Sequence, residues 1–213
     1  MPILKDIEEL SKFLIEEEKK YGGVIKNIKR SVISQFEGKY HNIHQGGDRM
    51  KSIYHNYSNI YSKHLFSNIN NEKQVIIEIG ILTGIGLATW CDLFSNSNII
   101  GFDIDPSIFY NNLNNLKKLN AFTKTMPDIY SFDQYADNTE LVGKILNGRK
   151  IDIVIDDGCH KTDAIMNTFK VLLPFLSDNF KYFIEDNSDV HSIFKKDYKF
   201  NIDYNNQMTV VYK

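Results

Sequence analysis

The sequence predicts an α/β fold built on a mostly parallel sheet with helices on both faces. From residue 74 onward, short runs of β-branched and other apolar residues alternate with longer stretches of helical character. Runs that are apolar throughout are typical of strands buried on both faces. Strands that alternate with helices are typical of parallel sheets with helical crossovers, which are right-handed. The two patterns together place the sheet after residue 74.

Six apolar runs are predicted to be strands, and the third is the weakest of them. They cover residues 75–79, 99–102, 122–126, 151–155, 182–184 and 208–212. The stretches between them predict helices over residues 84–95, 106–119, 136–147 and 162–176.

The region before the sheet is predicted to be helical. Residues 3–20 carry apolar side chains at helical spacing, and Gly22 and Gly23 end this pattern. Residues 24–38 are less regular. The polar stretch at 67–73 predicts a boundary between an N-terminal helical segment, residues 1–66, and a sheet domain, residues 67–213.

Four of the six histidines lie between residues 40 and 65, together with several tyrosines. Their spacing does not match a zinc site, and the segment has no cysteine. Two interpretations stay open. The segment is an entry loop followed by an aromatic-faced helix over residues 50–66, or part of it faces a ligand.

Composition and charge exclude several classes of protein. The 213 residues include 25 basic and 27 acidic side chains, a net charge of -2, so we expect no nucleic-acid partner. No apolar run approaches the roughly 20 residues that span a bilayer, and the acidic N-terminus is unlike a secretory signal. Two cysteines do not make a disulfide framework. We therefore expect a cytoplasmic protein with no membrane partner.

The first predicted strand is followed by a turn rich in glycine. Gly80 and Gly84 allow the backbone to turn sharply and to approach a ligand closely, and Glu78 precedes them. The spacing is not that of a dinucleotide fingerprint, and a carboxylate suits an ammonium or hydroxyl group better than a pyrophosphate. The alternative is a tight strand-to-helix turn that binds nothing.

An acidic residue about 20 positions beyond the glycine turn is placed to accept hydrogen bonds from ribose hydroxyls. Asp103, at the end of the second strand, fits this position. Asp105 is followed by Pro106 and resembles a helix N-cap instead.

Further acidic residues follow the fourth and fifth strands, at residues 156–157 and 185–186, with His160 close behind the first pair. Ligands of open α/β sheets bind at the carboxyl ends of the strands, so these groups are expected to converge. Paired carboxylates repel and need a cation or shared protons, and oxygen ligands favour Mg²⁺, Ca²⁺ or Mn²⁺. A histidine beside them is suited to be a general base. Any one of these acids alone would also fit a helix cap or a solvated loop, and Cys159 is interpreted as a packing residue.

Six motifs combine into one family pattern. They are GGDR at 46–49, HNY at 55–57 followed by Tyr61, IEIGILTGIGLATW at 77–90, GFDIDP at 101–106, IDDGCH at 155–160 and FIEDNSD at 183–189. Together they resemble class I S-adenosylmethionine-dependent methyltransferases, and more narrowly the metal-dependent sugar O-methyltransferases of the mycinamicin, macrocin and rhamnosyl type. GGDR stands where that family often has GTDK, and Cys159 replaces a usual serine.

The resemblance implies a Rossmann-like fold with a seven-stranded sheet whose last strand is antiparallel. It also implies S-adenosyl-L-methionine and Mg²⁺ or Mn²⁺ as cofactors. The residues implied in cofactor binding are Glu78, Gly80, Gly84, Asp103, Asp128, Tyr57 and Asp156. The implied metal ligands are Asp157, Glu185 and Asp186, and the implied catalytic residues are His160 as the base and Asp157.

The implied reaction is O-methylation of a sugar, such as a nucleotide-sugar or a precursor of a surface polysaccharide or natural product. A homo-oligomer is possible. Two other readings stay open: methylation of a uronic-acid carboxylate or amide, and an oxidoreductase or hydroxylase on the same fold. The missing dinucleotide fingerprint disfavours an oxidoreductase.

Overall fold

The computed structural model describes residues 4–22, 49–52, 55–70 and 73–213. In these ranges the strands are β1 (Val75–Ile79), β2 (Asn98–Asp103), β3 (Asp128–Ser131), β4 (Ile151–Asp156), β5 (Leu176–Ile184), β6 (Asn201–Asn205) and β7 (Met208–Tyr212). The helices are α1 (Ile7–Gly22), α2 (Tyr57–Leu65), α3 (Ile85–Leu93), α4 (Ser107–Lys118), α5 (Thr139–Leu146), α6 (Thr162–Leu172) and α7 (Val190–Asp197). The predictions for residues 24–38 and for glycines 46 and 47 lie outside the described residues.

The seven strands form one sheet in the order β3-β2-β1-β4-β5-β7-β6. β7 is antiparallel to both of its neighbours, and the other strands run parallel to one another. The predicted fold class is therefore confirmed. The first strand in the sequence, β1, lies in the centre of the sheet. The next two strands, β2 and β3, are added outward on one side of it, and β4 is added on the other side, so the strand order reverses between β1 and β4. Ligands of open α/β sheets bind at the carboxyl side of such a reversal.

The third strand was predicted wrongly. Residues 122–126 form a loop, in which Phe122 has a φ of 63° and its ring contacts Phe109. The true β3 is Asp128–Ser131, which pairs with β2 at the edge of the sheet. An edge strand that is partly exposed needs no continuous apolar run, so its sequence carries no strong signal.

Two further elements were not predicted from apolar runs, the helix α7 and the strand β6. β6 lies at the opposite edge of the sheet and is mostly exposed. Like β3, it therefore lacks the continuous apolar run that would have predicted it. The predicted fifth strand also extends backward to Leu176.

Two buried apolar clusters lie on the two sides of the sheet. One of them contains Leu10 and Leu14 of α1, Tyr61 of α2 and Trp90 of α3, all fully buried. Burial of a leucine side chain contributes about 2 kcal/mol, so α1 and α2 are part of this core and not a loose cover. The division at residues 67–73 remains a prediction. No described helix is both long and apolar enough to cross a membrane.

Candidate active site at the carboxyl edge of the sheet

The glycine turn after β1 lies directly against the loop after β4. Gly80 has a φ of 80°, and a Cβ atom there would lie 2.1 Å from the carbonyl oxygen of Asp157. Gly84 has a φ of 83°, and its missing side chain leaves room for the ring of Phe109. Both positions therefore require glycine. At Gly80, the missing side chain allows the predicted cofactor turn to contact the predicted metal loop.

Glu78 forms a buried acidic group beside this turn and is 1% exposed. Its Oε1 accepts hydrogen bonds from Arg49 Nη1 at 2.8 Å and from Trp90 Nε1 at 3.1 Å. Its Oε2 is buried and has no hydrogen-bond partner among the described residues. Burial raises the pKa of Glu78, and Arg49 opposes the rise. A buried carboxylate oxygen that lacks a donor fits a ligand with an ammonium or hydroxyl group.

Arg49 is the main residue that the sequence analysis missed. Its three guanidinium nitrogens each meet a different carboxylate: Nη1 meets Glu78, Nη2 meets Asp157, and Nε lies 3.1 Å from Glu185 Oε2. Burial disfavours the charged guanidinium, but the three carboxylates outweigh this and hold the pKa of Arg49 well above its ordinary value. The GGDR motif contributes to the family resemblance, but no periodicity or spacing in the sequence indicates the direction of the arginine side chain.

Helices α1 and α2 hold Arg49 in place. Glu18 of α1 accepts hydrogen bonds from the backbone N–H groups of Arg49 at 3.1 Å and of Met50 at 2.9 Å. The first N–H group of α2, at Tyr57, donates to the carbonyl oxygen of Arg49 at 3.3 Å. The N-terminal helices therefore contribute to the geometry of the site.

Asp157, His160 and Asp186 form the open part of the site. One potential ligand atom from each lies within 4.8 Å of the others. His160 Nε2 is 3.9 Å from Asp157 Oδ1, and the three side chains are 25%, 32% and 33% exposed. Two carboxylates and an imidazole that are close together and accessible fit a divalent cation of the Mg²⁺ or Mn²⁺ class.

Both His160 and Asp186 have left-handed backbones, with φ values of 57° and 53°. This conformation costs about 1–2 kcal/mol per residue unless neighbouring groups compensate. Asn187 supplies such a group, because its Nδ2 donates to the carbonyl oxygen of His160 at 3.0 Å and to Thr162 Oγ1 at 3.1 Å. Its Oδ1 caps the start of α7 at Val190. Asn187 thus ties the loop after β4 to the loop after β5.

The aromatic face of α2 meets the acids that follow β5. Tyr57 donates to Asp186 Oδ1 at 2.6 Å, and His55 Nδ1 lies 3.5 Å from the same oxygen. Tyr61 donates to Glu185 Oε1. Tyr57 was expected in cofactor binding, and the structure shows it in contact with Asp186. The helix α2 begins at Tyr57, later than the predicted start at residue 50.

Asp103 lies at the end of β2, as expected. Its Oδ2 accepts hydrogen bonds from the N–H groups of Ile81 at 3.0 Å and of Leu82 at 3.2 Å, so it touches the glycine turn. The next residue in the sequence, Ile104, is apolar and 70% exposed. Asp128 does not share this edge, because it begins β3 and does not follow the third strand as expected.

Asp156 is turned away from the open site and is 1% exposed. Its oxygens accept hydrogen bonds from Gln134 Nε2 at 2.9 Å and from the hydroxyl of Tyr182 at 3.2 Å. Burial raises the pKa of Asp156 to about 6, while Gln134 and the other donors oppose the rise. The structure therefore places Asp156 as a support of the loop after β4, whereas it was expected in cofactor binding.

No model of a known protein family matches this sequence, and no curated protein matches it. Many solved structures match in fold. The methyltransferase MycE of the mycinamycin biosynthetic pathway, in complex with Mg and SAH, has a TM-score of 0.60 at 19% identity, over 87% of this chain and 55% of that chain. A putative caffeoyl-CoA O-methyltransferase from Staphylococcus aureus has a TM-score of 0.57 at 13% identity, over 95% of this chain and 98% of that chain. The rRNA methyltransferase aviRa from Streptomyces viridochromogenes has a TM-score of 0.52 at 11% identity, over 90% and 94%.

The chain thus has the fold of the class I S-adenosylmethionine-dependent methyltransferases, which confirms the predicted resemblance at the level of fold. It spans about half the length of MycE. The expected exclusion of nucleic acid is not supported, because the same fold occurs in an rRNA methyltransferase.

Proposed function

We propose that this protein is an S-adenosylmethionine-dependent methyltransferase that methylates a sugar hydroxyl with the help of a divalent cation. The acceptor class is a nucleotide-sugar or a precursor of a surface polysaccharide or natural product. The observation that carries the proposal is the contact between two half-sites. The glycine turn at Gly80 lies against Asp157, and Asp157 lies within 4.8 Å of His160 and Asp186 at the same edge of the sheet.

The cofactor half of the site is formed by Glu78, Gly80, Gly84 and Asp103. The unpartnered Oε2 of Glu78 fits the ammonium group of a methionine moiety. Asp103 Oδ1 accepts one backbone N–H group, from Asp105 at 2.9 Å, and keeps capacity for a ribose hydroxyl. The exposed Ile104, next in the sequence, offers an apolar surface for a base. MycE, which shares this fold, was solved with SAH.

The cation half of the site is formed by Asp157 and Asp186. Among the described residues, each has one oxygen that accepts no hydrogen bond, and His160 Nε2 lies 3.9 Å from the free oxygen of Asp157. When bound, the sulfonium cofactor supplies the methyl group and the divalent cation lowers the pKa of the acceptor hydroxyl. MycE was solved with Mg as well. The accessible carboxylate oxygens of Asp157 and Asp186 are the feature of this chain that supports a bound cation.

His160 is the proposed general base. Its Nε2 would accept the proton of the acceptor hydroxyl, and the acceptor oxygen would take the methyl group from bound S-adenosylmethionine, which would leave as S-adenosylhomocysteine. One proton would then remain on His160. The negative charge of Asp157, whose Oδ1 lies 3.9 Å from Nε2, would favour the imidazolium electrostatically and without a direct hydrogen bond.

The test is transfer of labelled methyl from S-adenosylmethionine into nucleotide-sugars and uronic-acid derivatives, with Mg²⁺ or with a chelator. We expect label in a sugar only when metal is present. His160→Ala should lower the rate at least about 100-fold. His191→Ala is the matched control, because His191 stacks on Tyr204 outside the site, and it should leave the rate unchanged.

Three outcomes would contradict parts of the proposal. Transfer that ignores the chelator would remove the cation from the mechanism. Transfer that survives in His160→Ala would favour a carboxylate acceptor, which needs no general base. A protein that binds no cofactor would overturn the methyltransferase assignment itself.

A further inference from the structure

We infer that Glu185 is the counterion of Arg49 and is not a ligand of the divalent cation, whose protein carboxylates are Asp157 and Asp186. This inference rests on the proposed function, since it assumes that a cation binds at this edge of the sheet. It departs from the expectation that Asp157, Glu185 and Asp186 form one ligand set.

Both oxygens of Glu185 already have protein partners. Oε1 accepts the hydroxyl of Tyr61, and Oε2 pairs with Arg49 Nε at 3.1 Å. The residue is 2% exposed, and its backbone N–H donates to the carbonyl oxygen of Asp156 at 3.0 Å. Backbone and side chain are therefore both fixed toward the interior.

Asp157 and Asp186 differ from Glu185 in their hydrogen bonds and in their exposure. Each has one oxygen with a protein partner, Arg49 for Asp157 Oδ2 and Tyr57 for Asp186 Oδ1. Among the residues that the structure describes, the other oxygen of each accepts no hydrogen bond, although His160 Nε2 lies 3.9 Å from Asp157 Oδ1. Both are partly exposed, and both belong to the group of atoms within 4.8 Å that includes His160 and does not include Glu185.

If Glu185 turned toward a cation, it would leave two buried groups without their partner. Arg49 is 13% exposed, and the Nε atom of its guanidinium would lose its partner. The buried hydroxyl of Tyr61 would lose its acceptor as well. A buried charge and a buried donor that lose their partners are strongly unfavourable. The interactions that hold Glu185 therefore oppose its use as a ligand.

Arg49 also joins the two halves of the site. The same guanidinium contacts Glu78 on the cofactor side and Asp157 on the cation side. Arg49 is thus a positioning residue that fixes the spacing between both carboxylates, and Glu185 completes its charge balance.

The test is the affinity for Mn²⁺, measured without cofactor or acceptor from the loss of the electron paramagnetic resonance signal of free Mn²⁺. Glu185→Gln and Asp186→Asn form a matched pair, because each removes one negative charge and changes one oxygen to an amide. Their shared electrostatic loss cancels in the comparison, and the difference reports coordination. We expect Asp186→Asn to bind Mn²⁺ at least about tenfold more weakly than Glu185→Gln. Equal loss in both variants, or a larger loss in Glu185→Gln, would overturn the inference.

A crystal of the wild-type protein soaked in Mn²⁺ gives a second, direct readout. The anomalous peak is expected at coordination distance from Asp157 and Asp186, with Glu185 still paired to Arg49. A peak that Glu185 coordinates, or the absence of a peak at these carboxylates, would overturn the inference. Neither measurement involves methyl transfer, so failure here differs from failure of the label-transfer test.

Discussion

Replacement of Arg49 by methionine is the perturbation that most directly probes the electrostatics of the site. The side chain is 13% exposed, and two of its three partners, Glu78 and Glu185, are almost fully buried. Removal of one partner from a buried ion pair costs about 3–5 kcal/mol, because the other charge stays buried without compensation. We expect Arg49→Met to lose this much of the free energy of unfolding at pH 8.

The loss should depend on pH in a defined direction. Burial raises the pKa of both Glu78 and Glu185, and Arg49 opposes this rise. Without Arg49 both pKa values rise further in the folded state. A carboxyl group whose pKa is higher in the folded than in the unfolded state favours folding at low pH and loses that contribution as the pH rises. The deficit of Arg49→Met relative to wild type should therefore be smaller at pH 5 than at pH 8.

The assay is urea unfolding followed by circular dichroism at both pH values. Lys144→Met is the control, because Lys144 pairs with Glu140 on an exposed helix face and its loss should change little at either pH. A deficit below about 1 kcal/mol for Arg49→Met would refute the reasoning, since that is the scale of a surface pair. A deficit of equal size at both pH values would refute the assignment of buried, ionised partners.

Three further predictions concern stability. Gly80→Ala should cost about 3 kcal/mol or more in urea unfolding, because its Cβ would clash with the backbone of Asp157, whereas Gly148→Ala, also left-handed but with open space, should cost about 1 kcal/mol; equal losses would contradict the contact between the two loops. The free energy of unfolding of Asp156→Asn relative to wild type should increase by up to about 3 kcal/mol between pH 4 and pH 8. The reason is that burial raises the pKa of Asp156 to about 6, so the wild type loses stability as the pH rises toward and through that value. A difference that is the same at both pH values would show that burial does not raise this pKa. Leu14→Ala should cost about 2–5 kcal/mol within one cooperative transition, and separate melting of α1 would show that it does not share the core of the sheet.

The parts of the fold that could be predicted were those whose side chains are buried on both faces. β1, β4 and β7 are apolar runs, and the structure places them at or next to the predicted residues. β3 and β6 lie at the two edges of the sheet, where one face or both meet water. Their sequences are therefore mixed, and pairing with a neighbour, which a single sequence does not display, decides their structure.

The carboxyl-edge rule predicted the region of the site, but not which residues face the cleft. Asp156 and Asp157 are adjacent, and since neighbouring residues at a strand end point in opposite directions, only Asp157 reaches the open site. Arg49 precedes the sheet in the chain, and contacts from α1 and α2 position it. Long-range contacts of this kind leave no periodic signal in the sequence.

The turn after β1 and the end of β2 are the proposed binding site of S-adenosylmethionine. A calorimetric titration with S-adenosylhomocysteine tests this proposal without knowledge of the acceptor. We expect saturable binding of one molecule per chain, weakened at least about tenfold in Asp103→Asn. Binding should stay unchanged in Asp105→Asn, which removes the same charge two residues away at an exposed position. Absence of saturable binding to the wild type, or equal binding by Asp103→Asn, would contradict it.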